Sequence, residues 1–240
     1  MDVGVGHRPR GRAGPYDVAV DPLSSAIDGV IRAGRRLGAR GLISAAEGNI
    51  SVRLDADRLL VTPTSVRKDE LTPDDLVIVQ IDHLGRDAVS RSGLRPTSDL
   101  AIHLAVHAAR PDVSAVVHAH LPAAMALTLA GETPDPGALP EMVTHLSRLP
   151  FLSLGVPGSQ ELAGRIATAL SEPPEPLASA VLLERHGAVA VGGDPIEAVN
   201  RLELVEVLCR TWRDALLIRA ARTAVGIVDE SSRAPQSEGR

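Results

Sequence analysis

Aromatic side chains are scarce in this sequence. Its 240 residues include one tryptophan, one tyrosine and one phenylalanine, although 44% of the residues are hydrophobic. We therefore expect a core built from Leu, Val, Ile and Ala. An enzyme that depends on a catalytic tyrosine would have Tyr16 as its one candidate.

Cysteine is equally scarce, since Cys209 is the one cysteine and cannot form an internal disulfide. Its place in an apolar helical pattern favours a buried thiol over a nucleophile. No apolar run approaches the roughly 18 residues that a bilayer-spanning helix needs, and the N-terminus has no continuous apolar segment of the signal-peptide type. We therefore expect a cytoplasmic protein without a membrane partner.

The sequence also lacks a strong excess of positive charge. It has 25 basic and 30 acidic residues and a formal net charge of -5. A nucleic-acid partner would favour a concentrated basic face. The one basic cluster, Arg8, Arg10 and Arg12, lies in a Gly-rich terminal stretch that is typical of a solvated tail. We therefore expect no nucleic-acid partner.

Neither a fixed-period repeat nor a long linker divides the chain. We predict one domain over residues 23–224, flanked by disordered tails at 1–22 and 225–240, where apolar periodicity is missing.

Apolar spacing predicts a mixed α/β architecture. The predicted helices are Ser24–Arg40, Ser98 to about Arg110, Pro122 to about Gly131, Ser159–Leu170 and a long helix from Pro195, with Ser24 and Ser98 as N-caps. The predicted strands are Asn49–Leu54, Arg58–Val61, Val77–Ile81, Val113–Val117, Val181–Leu183 and Ala188–Val191.

The pair His118 and His120 follows the fourth of these strands. Alternate residues of an extended segment point to the same face, so the two imidazoles can be directed at one ion. His186 precedes Gly187 in a tight turn at another strand end. Three imidazoles with one open position are typical of a catalytic zinc site. The sequence therefore predicts a divalent metal held by His118, His120 and His186.

Other histidines are weaker candidates. His103 and His107 share a helix face but have no obvious third ligand, so a packing or surface role is favoured over a metal site. His83 lies beside a predicted turn, and His145 follows a loop from which it could reach the site.

Asp99 is predicted in the first turn of its helix and has two interpretations. A carboxylate there stabilises the helix dipole. Alternatively, free N–H groups and the hydroxyls of Thr97 and Ser98 form an anion site, beside which Asp99 would be a general base close to the metal.

Five short motifs follow one another along the chain: Gly48-Asn49-Ile50-Ser51-Val52-Arg53, Leu60-Val61-Thr62-Pro63-Thr64, Pro96-Thr97-Ser98-Asp99, Ala115-Val116-Val117-His118-Ala119-His120 and Leu183-Glu184-Arg185-His186-Gly187. In this order they resemble the class II aldolase/adducin family. The resemblance covers roughly residues 24–222.

The resemblance implies a three-layer α/β/α fold with a central, mainly antiparallel sheet. It also implies a homotetramer with active sites at subunit contacts, and Zn²⁺, or another divalent ion such as Mn²⁺, Co²⁺ or Fe²⁺, on the three histidines. Typical substrates are small phosphorylated ketoses. The residues implied to cradle the phosphate are Gly48, Asn49, Thr64, Ser65, Thr97 and Ser98.

The implied activity is that of a metal-dependent aldehyde-lyase, an aldolase. The metal would stabilise the enediolate left when a carbon–carbon bond breaks, and Asp99 would shuttle the proton. A 4-epimerase, a dehydratase or a decarboxylase on the same scaffold is an alternative. An iron oxygenase is a more distant alternative, and a non-catalytic adducin-like scaffold is the non-enzyme hypothesis.

Three positions depart from the family pattern. Asp99 stands where aldolase members have glutamate, so it is either a base or a metal ligand. Ser65 stands where the family usually has glycine. The tyrosine that often follows the middle loop is missing from 151–155, which leaves His145 or water to protonate the leaving aldehyde.

Overall fold

The computed structural model describes residues 21–81, 88, 90–146 and 148–224. Residues 1–20 and 225–240, and with them most of the two predicted tails, lie outside the described residues, as does His83. Asp21 and Pro22 already form the start of the first helix.

The described residues form six α-helices and seven strands, besides two short 3₁₀ helices at Pro73–Asp75 and Pro136–Ala138. The helices are α1 (Pro22–Ala39), α2 (Leu100–Ala109), α3 (Pro122–Leu129), α4 (Pro140–His145), α5 (Gln160–Ser171) and α6 (Pro195–Ala224). The strands are β1 (Asn49–Arg53), β2 (Arg58–Val61), β3 (Val77–Gln80), β4 (Ala115–Ala119), β5 (Phe151–Leu152), β6 (Ala180–Leu183) and β7 (Gly187–Gly192).

All seven strands join one sheet in the order β3-β2-β1-β4-β7-β6-β5. Every neighbouring pair is antiparallel except β5 and β6. The sheet is therefore mainly antiparallel, as the family resemblance implied.

Helices cover both faces of this sheet, because alternate residues of a strand point to opposite sides. Val117 of β4 packs in a core with α1, α3 and α6, whereas its neighbour Val116 packs in a second core with α2 and α5. The strand is apolar on both faces, which is typical of a sheet buried between two helical layers. The fold is thus a three-layer α/β/α sandwich.

Several predicted boundaries were wrong by a few residues. Asp21, not Ser24, caps α1, since its carboxylate accepts from the Ser24 N–H at 3.2 Å. Asp99, not Ser98, is the N-cap of α2, so it precedes the first turn. Strand β4 begins later than predicted and contains His118.

The short elements α4 and β5 were not predicted, because six and two residues are too few for a periodic apolar pattern.

The predicted apolar stripe of α6 faces the core. Val199, Leu202, Val205 and Leu208 are all buried against the sheet. Cys209 is buried beside them, as predicted, and burial raises the pKa of its thiol to about 12. Within the described residues, no helix combines the length and apolarity that crossing a membrane requires.

Candidate metal centre

His118 lies within β4, where it is paired with Asn49 of β1 and Val189 of β7. Its ring is fully buried, and its Nδ1–H donates to the Ala188 carbonyl at 3.0 Å. This bond leaves Nε2 as the unprotonated nitrogen. Nε2 is buried and finds no hydrogen-bond partner among the described residues. A buried lone pair without a donor is what a metal ligand requires.

His120 follows β4 directly and is partly open, with 21% of its side chain exposed. Its Nδ1 lies 3.3 Å from a carboxylate oxygen of Glu47, the kind of partner that orients a metal-binding imidazole.

Helix α3 starts just after His120. The buried Glu206 of α6 accepts from the Ala123 N–H at 3.1 Å and pairs with Arg210 at 2.9 Å. A carboxylate at a helix N-terminus is stabilising, so α6 anchors the chain immediately after the second histidine.

His186 reaches the same place from the turn between β6 and β7. Gly187 has a φ of +104°, and a Cβ built on it would lie 2.1 Å from the Ala119 carbonyl oxygen. Only glycine allows this approach of the turn to β4. The neighbouring Arg185 N–H donates to the Thr128 hydroxyl at 2.9 Å, which ties the turn to α3.

The three imidazoles surround one point. Their ring centroids lie 4.8–5.0 Å apart, their planes are inclined by 61–65°, and their candidate ligand atoms all lie within 4.8 Å of one another. Burial and the neighbouring imidazoles hold the pKa values of His118 and His186 below the usual range. Neutral rings are the form that binds a metal, so this donor set suits a divalent ion.

Asp99 lies beside the three histidines, and its charge opposes the lowering of the pKa of His118 that burial and the other rings cause. It is buried, and its Oδ2 accepts from the Asn49 amide at 2.9 Å. Asp99 does not belong to the group of ligand atoms that the three histidines form. Asp99 is therefore a buried carboxylate near the three histidines whose Oδ2 is held by Asn49.

Two of the six predicted phosphate residues share one cavity. Thr97 and Ser98 line a cavity of about 360 Å³ together with Arg95 and Gly158, at the start of α2. Both polar atoms of the Asn49 side chain are already hydrogen-bonded: its nitrogen donates to Asp99, and its oxygen accepts from His103.

Gly48 and Ser65 both have left-handed backbones. Gly48 has a φ of +71°, and a Cβ there would lie 2.9 Å from the His118 carbonyl oxygen. Ser65 is exposed with a φ of +60°, which costs a non-glycine residue roughly 1–2 kcal/mol. Glycine adopts such a backbone without this cost. The N–H of Thr64, next to Ser65, is already bonded to the Arg95 carbonyl at 3.0 Å.

Lys68 was missed by the sequence analysis. Its ammonium is buried and donates to the carbonyls of Ala46 at 2.7 Å and Val66 at 2.6 Å, which ties the loop of Glu47 to the segment that precedes Lys68. Burial lowers the pKa of Lys68 to about 8, and the charge of Asp99 opposes this shift. No signal in the sequence marks it, because its neighbours Arg67, Asp69 and Glu70 are typical of a solvated turn.

Among the described residues, three further histidines do not belong to the cluster. His145 is exposed at the end of α4. His103 and His107 are buried under the sheet and hydrogen-bonded to β1, which agrees with the packing role favoured for them.

Comparison with known proteins agrees with this fold. A family profile described as Class II Aldolase and Adducin N-terminal domain matches residues 28–213. The chain is 34% identical to a methylthioribulose-1-phosphate dehydratase of Acidiphilium cryptum, over 82% of this chain and 93% of that protein. It is 32% identical to a 3-oxo-tetronate 4-phosphate decarboxylase of Cupriavidus necator, over 76% and 81% of the two chains. The solved L-fuculose-1-phosphate aldolase of Thermus thermophilus superposes with a TM-score of 0.68 at 30% identity and covers 83% of this chain and 97% of its own.

Proposed function

The chain belongs to the class II aldolase and adducin family, and on this premise we propose that it is a divalent-metal-dependent lyase acting on a small phosphorylated hydroxyketone. The observation that supports the proposal most strongly is the buried, unpartnered Nε2 of His118 beside His120 and His186. A scaffold that has lost its activity has no need to keep three converging imidazoles.

The roles proposed for the residues follow from their positions. His118, His120 and His186 would hold Zn²⁺, Mn²⁺, Co²⁺ or Fe²⁺, which supplies positive charge that stabilises developing negative charge on the substrate oxygens. Asp99 is held in place by Asn49 and is the proposed proton acceptor and donor.

For the phosphate, we propose the start of α2, where Thr97, Ser98 and Arg95 line one cavity. Gly48, Asn49, Thr64 and Ser65 complete the proposed set, with Asn49 acting through its backbone because its amide is engaged.

The first reaction proposed is aldol cleavage. Asp99 accepts the proton of a substrate hydroxyl, the adjacent carbon–carbon bond breaks, and an aldehyde leaves. The electron pair of that bond remains on the ketose fragment as an enediolate, which then takes a proton. Asp99 returns to the enediolate the proton that it accepted, and His145, which is exposed and outside the cluster, has no part in this proposed transfer.

Dehydration is the second candidate, favoured by the 34% identity to a dehydratase over most of both chains. Asp99 would remove a proton from a carbon next to the carbonyl, and the hydroxyl on the following carbon would leave as water. One acid–base group can serve both steps, which suits a chain whose one tyrosine is Tyr16.

A substrate panel distinguishes these reactions. Zinc-loaded protein would be incubated with fuculose 1-phosphate, methylthioribulose 1-phosphate and 3-oxo-tetronate 4-phosphate. We expect one of them to be turned over, and a chelator to stop the reaction. A released aldehyde identifies an aldolase, a dehydrated dicarbonyl product a dehydratase, and carbon dioxide a decarboxylase. No turnover with any divalent metal would support the adducin-like scaffold instead.

We also propose that the protein is a homotetramer with the site near subunit contacts. The second half of α6 carries exposed apolar side chains, among them Leu217 and Ile218, at 61% and 55% exposure. Light scattering of the purified protein is expected to give about four times the chain mass of 25.1 kDa. A mass of one chain would contradict this assembly.

A further inference from the structure

A line of polar side chains, all buried except the half-buried Arg53, connects Asp99 to the far end of β1. Each member is hydrogen-bonded to the next, alternately from the strand and from α2. We call this line the polar ladder; its members are Arg53, His107, Ser51, His103, Asn49 and Asp99.

Sequence spacing explains why the polar ladder can form. Residues 49, 51 and 53 point to the sheet face that α2 covers, because Ile50 and Val52 pack in the opposite core. Residues 99, 103 and 107 lie four apart and so occupy one helix face. A step of two residues advances about 6.6 Å along a strand, and a step of four residues advances about 6.0 Å along a helix. The side chains of β1 and α2 therefore remain opposite one another along the polar ladder.

The hydrogen bonds of the polar ladder have one consistent direction. Arg53 can only donate and the Asp99 carboxylate can only accept. The Asn49 amide donates to Asp99 at 2.9 Å, so its oxygen must accept from His103 Nε2–H at 2.7 Å.

Further along, burial lowers the pKa of His103 to about 4 and that of His107 to about 3, so both rings are neutral. The Nδ1 of His103 therefore accepts from Ser51 at 2.7 Å, and Ser51 accepts from His107 Nε2–H at 2.9 Å. Arg53 lies 3.4 Å from His107 Nδ1 and also donates to the His107 carbonyl. Every bond thus points towards Asp99.

We propose that the polar ladder fixes the orientation of the Asp99 carboxylate, with His103 as the positioning residue that holds Asn49 against Oδ2. The Asn49 amide could rotate if its oxygen had no donor, and Asp99 would then lose its one side-chain partner among the described residues. With Oδ2 held, Oδ1 remains for the substrate. The proposal rests on the proposed function only for what Asp99 does there.

The tautomers of the two rings provide a test that does not depend on activity. In zinc-loaded protein labelled with ¹⁵N-histidine, long-range ¹H–¹⁵N spectra at neutral pH are expected to show Nε2–H and a bare Nδ1 for both His103 and His107. His118 should show the opposite, with Nδ1–H. A ring of His103 protonated on Nδ1 would overturn the proposal.

Kinetics of matched variants provide the second test. His103→Leu removes the donor to Asn49, and we expect kcat to fall about 10- to 100-fold, with KM changed little and zinc content unchanged. His103→Gln keeps an amide N–H at that position and is expected to restore most of kcat.

Val106→Ala is the control, because it loosens the same helix from the second core without touching the ladder. An unchanged kcat in His103→Leu, or an equal loss in Val106→Ala, would overturn the proposal. If the wild-type protein turned over no substrate, the proposed function would fail, while the tautomers would still decide whether the ladder has this direction.

Discussion

Replacing His186 with alanine is expected to remove the bound metal and abolish turnover while leaving the fold largely intact. The metal would lose one of three nitrogen ligands, and two imidazoles do not complete a zinc site. His186 is partly exposed in a turn, whereas His118 is fully buried in β4. Truncating His186 therefore leaves no large cavity, and the free energy of unfolding of the metal-free protein should change by less than about 1 kcal/mol.

Three measurements check this expectation. Elemental analysis gives the zinc content, enzyme assays give the turnover, and thermal unfolding shows whether added zinc still raises Tm, as ligand binding to the folded state requires. Arg185→Ala is the matched control, because Arg185 is the exposed neighbour in the same turn. Undiminished turnover in metal-stripped wild-type protein would contradict the proposed metal dependence.

Replacing Asp99 with asparagine is expected to lower kcat by about 10²- to 10⁴-fold, the range that general acid–base groups contribute. Asparagine has nearly the same shape, and its oxygen can still accept from the Asn49 amide, so the packing should be kept. It cannot accept the substrate proton. Because Asp99 lies outside the three-histidine ligand group, zinc content should remain that of the wild type.

Two other outcomes would change the interpretation. Loss of zinc in Asp99→Asn would make Asp99 a metal ligand. Unchanged kinetics would mean that Asp99 only stabilises the dipole of α2, at whose N-terminus it is the cap residue. Asp99→Glu keeps the carboxylate and should retain more activity than Asp99→Asn, provided that Asn49 still reaches it.

Long elements were predictable from the sequence because their apolar residues repeat with the period of a helix or a strand. The helices α1, α5 and α6 and the strands β2 and β7 lie close to where they were predicted. The predicted boundaries at Ser24 and Ser98 were wrong. Propensity fixes a helix start only to within a few residues: Asp21 caps α1 with its side chain, whereas the side chain of Asp99 makes no capping bond and accepts from Asn49 instead.

The sequence by itself determined which residues could meet at the candidate metal centre. His118 and His120 are two residues apart next to an apolar strand, and His186 precedes a glycine, so their local conformations were already limited. Their convergence, however, depends on the pairing of β4 with β7 and on Gly187 lying against Ala119.

Tertiary structure alone decided the environment of the centre. Asn49 meets Asp99 across 50 positions of the chain, and Lys68 is buried within what the sequence presents as a surface turn. His103 and His107 become neutral hydrogen-bonding groups only because α2 covers β1. The physical reason is that local propensity follows from neighbours within a few residues, whereas burial and partner choice follow from which segments the fold packs together.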